Sequence, residues 1–302
     1  LCGAAPMPAE VFRQFEARTK VMILEGYGLT EAVCISSVNP PGGEKRVGSI
    51  GFRLPYQEMK IVELDPDGTF KRDCGENEIG LIVARGPNVF PGYKEEIHNK
   101  AAFVDCGDGG ELWLNTGDLG RQDAEGYFWL TGREKELIIR GGHNIDPLLI
   151  EDPLHGHPDV ALAAAVGRPD AYAGEVPVAY VQLEPGAQIS EEELLTHAGE
   201  NIGERAAVPK AVHIVDELPV TTVGKIFKPQ LVRLEVEDVY KLALQEIDGV
   251  ASVNVQVKAH SQYGLIAEIS ITAEPQIDKS ALEETVRQTL GQYVVHYELT
   301  HL

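Results

Sequence analysis

The sequence predicts an α+β protein with a β-rich part, a smaller mixed part and an appended tail. Residues 46–132 carry short β-like runs broken by turn formers such as DPDG, which is typical of a β-rich subdomain. After that region, strand candidates alternate with a helix in SEEELLTHAGENI, which indicates a small α+β unit. The last segment shows the order helix, strand, strand, helix, strand. We therefore expect domains at residues 1–132, 133–236 and 237–302.

The first domain is expected to begin with a helix and a buried strand. PAEVFRQFEARTK, residues 8–20, has helix-like spacing, and VMILEG, residues 21–26, is an apolar run short enough for a buried strand that ends at a glycine. The β-like runs that follow are GSIGFRL, EMKIVEL, IGLIVARG, ELWLNTGD and GYFWLTG. Their spacing predicts a strand for each run.

The second domain is expected to combine a hairpin with strands and a capped helix. ELIIRGGHNIDP, residues 136–147, predicts the hairpin, and ALAAAVG, VPVAYVQLEP and AVHIVDELP are the strand candidates. Ser190 followed by Glu193 predicts a capping box at the start of the helix. The tail of roughly 65 residues would be marginally stable alone, so we expect it to dock on a neighbour. We find no internal repeat in the sequence.

The composition restricts the partners and the compartment. The 47 acidic residues outnumber the 26 basic ones, so the average field repels polyanions and argues against nucleic acid or an anionic membrane as a partner. No apolar run reaches the roughly 18 residues of a membrane span. The four cysteines are widely spaced without a C-x-x-C pair. We expect a cytoplasmic protein with reduced thiols, and the initial Leu1 suggests a fragment or a processed chain.

Glycine-bearing motifs follow one another in a fixed order along the chain. They are GYGLTE at 26–31, NTGDLG at 115–120, GREKELIIRGGHNI at 132–145 and PVTTVGKIFK at 219–228. Each motif alone is weak evidence, because glycine-rich turns beside Thr or Asp are common in loops. Together and in this order, they resemble the C-terminal part of an AMP-forming acyl-CoA synthetase of the adenylate-forming superfamily. The resemblance covers residues 1–236 and leaves the tail unassigned.

The resemblance implies an ATP-dependent, AMP-forming acid:CoA ligase that uses ATP, Mg²⁺ and coenzyme A. Its substrate would be a small-molecule carboxylic acid, either a fatty acid or an aromatic acid. Residues 1–132 would be the distal part of the large N-terminal domain, and residues 133–236 a small mobile C-terminal domain. RGGHNI favours CoA as the acceptor, although a carrier-protein-directed adenylation enzyme is an alternative. A non-catalytic module whose tail binds a partner is an alternative from a different class.

Lys225 in PVTTVGKIFK resembles the catalytic lysine of this family. A carboxylate and the α-phosphate of ATP are both anions, so a cation between them offsets their repulsion and stabilises the transition state. Two unit charges about 4 Å apart interact by roughly 4 kcal/mol at an effective dielectric near 20. The net charge of the chain is screened beyond about 8 Å at physiological salt. One positioned lysine can therefore outweigh the acidic composition.

The resemblance implies a nucleotide site in GYGLTE. The ring of Tyr27 would stack on adenine, Gly28 would lie against the nucleotide, and Thr30 would touch phosphate oxygens. Glu31 would hold the magnesium ion. A small hard cation prefers carboxylate and phosphate oxygens, and loop glycines allow close backbone approach. Read without the resemblance, Tyr27 is as well explained as a core aromatic and Glu31 as a solvated acid.

Further nucleotide contacts are implied in two other motifs. Asp118 would accept hydrogen bonds from both ribose hydroxyls, and Arg133 would reach the ribose and phosphate with its planar guanidinium group. In GAAP, the residues Gly3, Ala4 and Ala5 would contact adenine. The family usually has a second glycine where Ala4 stands.

The family also implies a moving lobe. Lys135 resembles its hinge, and Gly141 with Gly142 would line the channel for the pantetheine chain in the thioester-forming state, although a tight hairpin turn explains these glycines equally well. His155 and His157 form an H-x-H pattern without a third ligand nearby, so we expect no metal there.

The family's phosphate-gripping loop and most of its acyl pocket lie upstream of GAAP and are not found in this sequence. We therefore expect the chain by itself to be catalytically inactive or nearly so. The acid that is activated and the oligomeric state are not indicated by any residue pattern.

Overall fold

The chain, as a computed structural model, forms two compact units, Leu1–Glu136 and Leu137–Leu302. The division lies shortly after the predicted boundary between residues 132 and 133. The structure describes residues 1–3, 9–222, 224–260 and 263–301.

The first unit is a β-rich structure, which confirms the predicted fold class. In chain order the elements are α1 Ala9–Thr19, β1 Gly26–Tyr27, β2 Ser37–Val38, β3 Ser49–Arg53, β4 Glu58–Leu64, β5 Phe70–Asp73, β6 Gly80–Arg85, α2 Asn99–Ala102, β7 Phe103–Val104, β8 Trp113–Gln122 and β9 Phe128–Arg133. The strands pair antiparallel in the order β1-β2-β3-β9-β8-β6-β4-β5, and β7 pairs with β8. Ile82, Leu114 and Phe128 are fully buried in the core of this unit.

The helix predicted near the start of the chain is present as α1, but the buried strand predicted for residues 21–26 is wrong over most of its length. Val21 and Met22 are more than half exposed, and β1 begins only at the end of the run. The backbone N–H of Ile23 donates to Oε1 of Glu16 at 2.6 Å. Cys2 N donates to Leu24 O and Gly26 N donates to Cys2 O, both at 2.8 Å, so strand pairing is confined to the end of the run, while a side-chain carboxylate on α1 binds the N–H of Ile23.

The second unit contains the predicted hairpin, strands and capped helix. Glu193 N donates to Ser190 Oγ at 3.2 Å, and Ser190 N donates to Glu193 Oε2 at 3.0 Å, which confirms the capping box. In chain order the elements are β10 Ile138–Arg140, β11 His143–Ile145, α3 Leu148–His155, β12 Val160–Asp170, β13 Gly174–Leu183, α4 Glu191–Asn201, β14 Val212–Val215, α5 Lys228–Gln245, β15 Val250–His260, β16 Gly264–Ala273, α6 Lys279–Leu290 and β17 His296–His301.

These elements form one sheet in the order β11-β10-β13-β12, with β14 parallel to β13, and a second sheet in the order β15-β16-β17. Helix α5 packs against β12 and against β15, so the tail docks on its neighbour as expected. Leu231 of α5 belongs to the core of the first sheet, and Tyr240 and Leu244 belong to that of the second. The predicted boundary between residues 236 and 237 falls inside this helix.

The second unit contains one arrangement of helices and strands twice, although we find no repeat in the sequence. In each copy a helix leads into two antiparallel strands, another helix follows, and a last strand pairs in parallel with the second strand. The first copy is α3, β12, β13, α4 and β14, and the second is α5, β15, β16, α6 and β17. Val160 and Val250 begin matching strands, as do Gly174 and Gly264, at a spacing of 90 residues.

Smaller details of the two copies agree at the same spacing. Glu184 N donates to Asp159 O at 2.8 Å, and Glu274 N donates to Gly249 O at 2.8 Å. The first strand of each copy has a register shift at its second residue. Core side chains also correspond, in the pairs Ala163 and Val253, Ala165 and Val255, Ala179 and Ile269, and Val181 and Ile271.

Helix α3 offers a direct test of this packing. We expect Leu154→Ala to lower the free energy of unfolding by about 2–5 kcal/mol, because Leu154 is fully buried and the substitution leaves a cavity. Leu149→Ala in the same helix is the matched control, since Leu149 is 42% exposed and its loss should cost less than about 0.5 kcal/mol. Urea unfolding of both variants checks the difference, and equal losses would contradict the packing described.

Candidate active site

A buried carboxylate joins three strands of the first unit. Asp118 on β8 lies opposite Arg133 on β9 in the antiparallel register. Tyr27 Oη, at the end of β1, donates to Asp118 Oδ2 at 2.5 Å, and Arg133 Nε lies 3.0 Å from Asp118 Oδ1. Asp118 is 5% exposed, whereas the side chain of Arg133 is 59% exposed. The sheet therefore brings together three of the predicted nucleotide residues.

The charge on Asp118 is set by burial and by these two donors. Burial raises the pKa of Asp118 above its usual range, while the hydrogen bond from Tyr27 and the charge of Arg133 act in the opposite direction. Burial and the nearby carboxylate raise the pKa of Tyr27, so its hydroxyl stays a donor. A carboxylate has about four lone-pair sites, so Asp118 can still accept from two further hydroxyls.

The tight NTGD turn sets the position of Asp118. Gly117 has a φ of +70°, a left-handed conformation that glycine adopts without strain, and its N–H donates to Asn115 Oδ1 at 2.8 Å. Thr116 Oγ1 donates to Ile82 O at 2.7 Å and accepts from Asp118 N at 3.1 Å. Each polar side chain of the motif thus fixes the backbone that carries the carboxylate.

The GYGLTE motif ends in a short 3₁₀ turn at Thr30–Ala32. Thr30 is exposed and Glu31 is partly exposed. Tyr93 Oη donates to Glu31 Oε1 at 2.6 Å, and this bond raises the pKa of Tyr93 to about 12. Phe90 N donates to Glu31 O at 2.8 Å. Sequence reasoning missed Tyr93, because nothing in the spacing of PGYK links it to a carboxylate that is distant in sequence.

The donor set around Glu31 suits magnesium. Magnesium is usually held by one or two carboxylates together with phosphate oxygens and water, rather than by an all-protein cage. Glu31 and the hydroxyl of Thr30 offer hard oxygen ligands on an open turn. Among the described residues, no group of three or more His, Cys, Asp or Glu side chains could hold a metal. The residues therefore fit a cation that arrives with a nucleotide.

Two predicted glycines allow close backbone approach. A Cβ on Gly28 would lie 1.5 Å from Cys34 O, and one on Gly3 would lie 2.7 Å from Gly26 O. Both positions therefore require glycine to preserve the local packing. Ala4 and Ala5 lie outside the described residues. The stack of Tyr27 on adenine stays a prediction, because the ring is 8% exposed and belongs to the core of the sheet.

In the second unit, the predicted glycine hairpin has the expected form. Gly141 and Gly142 have φ values of +56° and +86°, as a two-residue turn between β10 and β11 requires. A Cβ on either glycine would have no other atom within 4 Å. The backbone conformation, and not crowding within this unit, therefore explains the glycines. Their contact with a pantetheine chain stays a prediction.

Lys225 lies in a closed loop directly before α5. Thr221 N donates to Lys225 O at 2.7 Å, Lys225 N donates to Thr221 Oγ1 at 3.1 Å, and Phe227 N donates to Pro219 O at 2.7 Å. Gly224 has a φ of +79° within this loop. Within the described ranges, no carboxylate lies at ion-pair distance from Lys225 Nζ. The loop thus presents a cation on a constrained backbone.

The end of this loop is tied down by a pair that the sequence reasoning did not find. Lys228 Nζ, at the start of α5, lies 2.8 Å from Glu151 Oε1 on α3, and Ala165 N donates to the same oxygen at 2.7 Å. Both side chains are mostly buried.

The proposed hinge, Lys135, is exposed in a 3₁₀ turn at Glu134–Glu136, where the first unit ends.

The H-x-H pattern has a structural explanation. His155 Nδ1 lies 2.8 Å from Glu151 O, and its Nε2 accepts from Ala163 N at 3.2 Å. The ring of His157 contacts the ring of His197 edge to face. These contacts use the histidines within helix and strand packing.

Two family models match parts of this chain. The model of the AMP-binding enzyme family matches residues 1–94, and the model of the AMP-binding enzyme C-terminal domain matches residues 149–225. The chain belongs to the adenylate-forming superfamily of AMP-binding enzymes. GYGLTE lies within the first matched segment and most of PVTTVGKIFK within the second, whereas NTGDLG and GREKELIIRGGHNI lie between the two segments.

The AMP-binding enzyme family also supplies named relatives. The marinolic acid–CoA ligase of Pseudoalteromonas sp. (strain SANK 73390) is 45% identical over 272 residues, which are 90% of this chain and 41% of the relative. The long-chain-fatty-acid–CoA ligase of Bacillus subtilis (strain 168) is 37% identical over 242 residues, 79% of this chain and 41% of the relative. The chain thus spans about two fifths of the length of these curated relatives.

Solved structures of AMP-binding enzymes resemble the chain as well. ATP-bound MatB from Rhodopseudomonas palustris superimposes with a TM-score of 0.71 at 34% identity, over 79% of this chain and 45% of MatB. The o-succinylbenzoate coenzyme A synthetase MenE of Bacillus subtilis, in complex with ATP and a magnesium ion, gives a TM-score of 0.64 at 32% identity, over 76% of this chain and 45% of MenE.

The bond between Tyr27 and Asp118 can be tested without any ligand. We expect Tyr27→Phe to lower the free energy of unfolding by about 1–3 kcal/mol at neutral pH, because it removes a donor from a buried carboxylate. The bond lowers the pKa of Asp118, so its stabilising effect is present above that pKa and is lost as the pH falls through it. Chemical denaturation at several pH values measures this.

Tyr93→Phe is the matched control for that experiment. Tyr93 also donates to a carboxylate but is 40% exposed, so its loss should change stability by less than about 0.5 kcal/mol. A Tyr27→Phe variant as stable as the Tyr93→Phe variant, or one whose deficit grows in acid, would contradict the assigned bond.

Proposed function

We propose that this chain is the C-terminal part of an ATP-dependent, AMP-forming acid:CoA ligase. The observation that carries the proposal is the buried carboxylate of Asp118, which Tyr27 and Arg133 hold on the sheet with lone pairs to spare. Such a group suits a diol, and the ribose of ATP is one. The part of the named relatives' length that this chain does not span would supply the rest of the site.

In the first half-reaction, a carboxylate oxygen of the acid attacks the α-phosphorus of ATP, and the bond to the β-phosphate breaks to release pyrophosphate. Asp118 orients the ribose, and Glu31 with Thr30 holds the phosphate end. A bound magnesium ion would neutralise charge on the leaving pyrophosphate. Lys225 places its ammonium group between the two anions and stabilises the transition state.

In the second half-reaction, the thiol of coenzyme A attacks the acyl carbon of the adenylate, a thioester forms and AMP leaves. We propose that the lobe turns about Lys135 between the two steps, so that the hairpin of Gly141 and Gly142 replaces the lysine loop. The exposed 3₁₀ turn at the end of the first unit supports this, because few packed contacts hold Lys135.

The substrate is proposed to be a fatty or aromatic carboxylic acid, since the relatives include a marinolic acid–CoA ligase and a long-chain-fatty-acid–CoA ligase. We place the enzyme in the cytoplasm, because its four cysteines, all within the described ranges, are free thiols that suit a reducing compartment. Within the part of the chain that the structure describes, no helix is both long enough and apolar enough to cross a membrane.

The role of Lys225 can be measured in the complete enzyme by pyrophosphate exchange against a panel of carboxylic acids. We expect Lys225→Ala to slow acid-dependent exchange by about a hundredfold or more, because it removes the cation at the attacked phosphorus. Thioester formation from supplied acyl-adenylate should persist. Lys210→Ala, an exposed lysine of the same unit, is the control and should leave exchange unchanged. Full exchange by Lys225→Ala would refute the assignment.

For the proposed hinge at Lys135 we predict the opposite pattern, a loss of thioester formation and not of adenylation. Lys135→Pro fixes φ and restricts the preceding residue, so we expect it to spare adenylation and to slow thioester formation at least tenfold. Lys135→Ala keeps the backbone free and should behave like the wild type. Separate single-turnover measurements of each half-reaction check this, and equal losses in both would count against a hinge at this position.

A further inference from the structure

The two copies within the second unit differ on one face of their sheets. In the first copy the face away from α3 is apolar and is covered by α5, with Ala164, Val166, Val178 and Tyr180 in its core. Counted on by 90 residues, the corresponding positions of the second copy are the polar residues Asn254, Gln256, Glu268 and Ser270. The second copy thus has an apolar inner face and a mostly polar outer face, as terminal repeats of stacked folds do.

Helix α5 is shared by both copies. It is the first helix of the second copy, and it is also the cover of the first sheet. Leu231 lies in the core of the first copy, while Val236, Tyr240 and Leu244 lie in the core of the second. The second copy therefore encloses a helix that the first copy needs for its own burial.

A buried charged cluster fixes α5 against the first sheet. Arg168 on β12 forms an ion pair with Glu235, whose side chain is 2% exposed, and Arg168 Nη2 donates to Asp238 Oδ2 at 2.6 Å. The hydroxyl of Tyr180 on β13 donates to the other oxygen of Glu235. A buried carboxylate is tolerated only where such partners surround it. These partners therefore specify how α5 is rotated about its own axis and where it lies along the first sheet.

Helix α5 directly follows the loop that carries the candidate catalytic lysine. Helix α5 begins at Lys228, next to the loop that carries Lys225, and its first turn is tied to Glu151. Because the loop is closed by short backbone bonds, a displacement of α5 moves the whole loop.

We propose that the second copy is a brace, with no reaction of its own, which holds α5 and so positions Lys225 for adenylation. Glu235 and Arg168 are positioning residues in this scheme. The role assigned to Lys225 rests on the proposed function, whereas the stacking of the two copies does not. A partner-binding role for the tail is the competing outcome.

The first arm of the test is structural and needs no substrate. Hydrogen exchange of the chain in rising urea, read by mass spectrometry, should show peptides of β12–β13 and of β15–β16 opening together. Arg168→Met should make the second pair open at lower urea than the first, and Arg287→Met, which removes an exposed ion pair on α6, should change neither. Separate opening in the wild type, with Arg168→Met without effect on either pair, would overturn the brace.

The second arm measures the half-reactions of the complete enzyme. We expect Arg168→Met and the milder Glu235→Gln to slow adenylation about tenfold while changing thioester formation from supplied acyl-adenylate less than twofold. A merely destabilised lobe would lose both steps equally, and that result would overturn the brace while leaving the proposed ligase intact. A wild-type enzyme that activates no acid would instead refute the proposed function. The hydrogen-exchange experiment would then still show whether the two copies open together.

Discussion

The free-energy cost of burying the carboxylate of Asp118 constrains the strands and the turn that surround it in the first unit. Asp118 is almost completely removed from water, and an isolated carboxylate in that position would be expensive. The cost is offset because Tyr27, on the edge strand β1, and Arg133, on the adjacent strand β9, donate to its two oxygens. The register of β8 with β9, the position of β1 and the tight NTGD turn must therefore all be kept. The acceptor that we propose for the ribose hydroxyls is thus held by the same contacts that fix this part of the sheet.

The second unit solves a different electrostatic problem. The chain carries a net charge of −21, yet the chemistry we propose needs a cation between two anions. An acidic chain can still supply such a cation. Salt screens the field of the net charge beyond about 8 Å, while a lysine on a closed loop acts on its ligand at contact distance. The surrounding structure supplies stiffness: the backbone bonds between Thr221 and Lys225, and the pair between Lys228 and Glu151.

Local features could be predicted from the sequence, whereas long-range contacts could not. The capping box at Ser190 and the Gly141–Gly142 turn depend on neighbouring residues, so their spacing was sufficient. The strand predicted in VMILEG is present only at the end of the run, because the N–H of Ile23 binds the side chain of Glu16 on α1 while Leu24 and Gly26 bond to Cys2. The contact between Tyr93 and Glu31 joins distant segments, and no period in the sequence reports such a pair.

The internal repeat escaped the sequence for a physical reason. A strand that is buried on both faces reads as a continuous apolar run, as in ALAAAVG, whereas a strand with one wet face alternates, as in SVNVQVK. Since the first copy is covered on its outer face by α5 and the second is not, their hydropathy patterns differ although the backbones agree. What survives in both is the backbone requirement, such as the positive φ at Gly174 and Gly264. A repeated fold can therefore be recognised by its turns and its inner face even where the outer face is covered by a helix in one copy and exposed to water in the other.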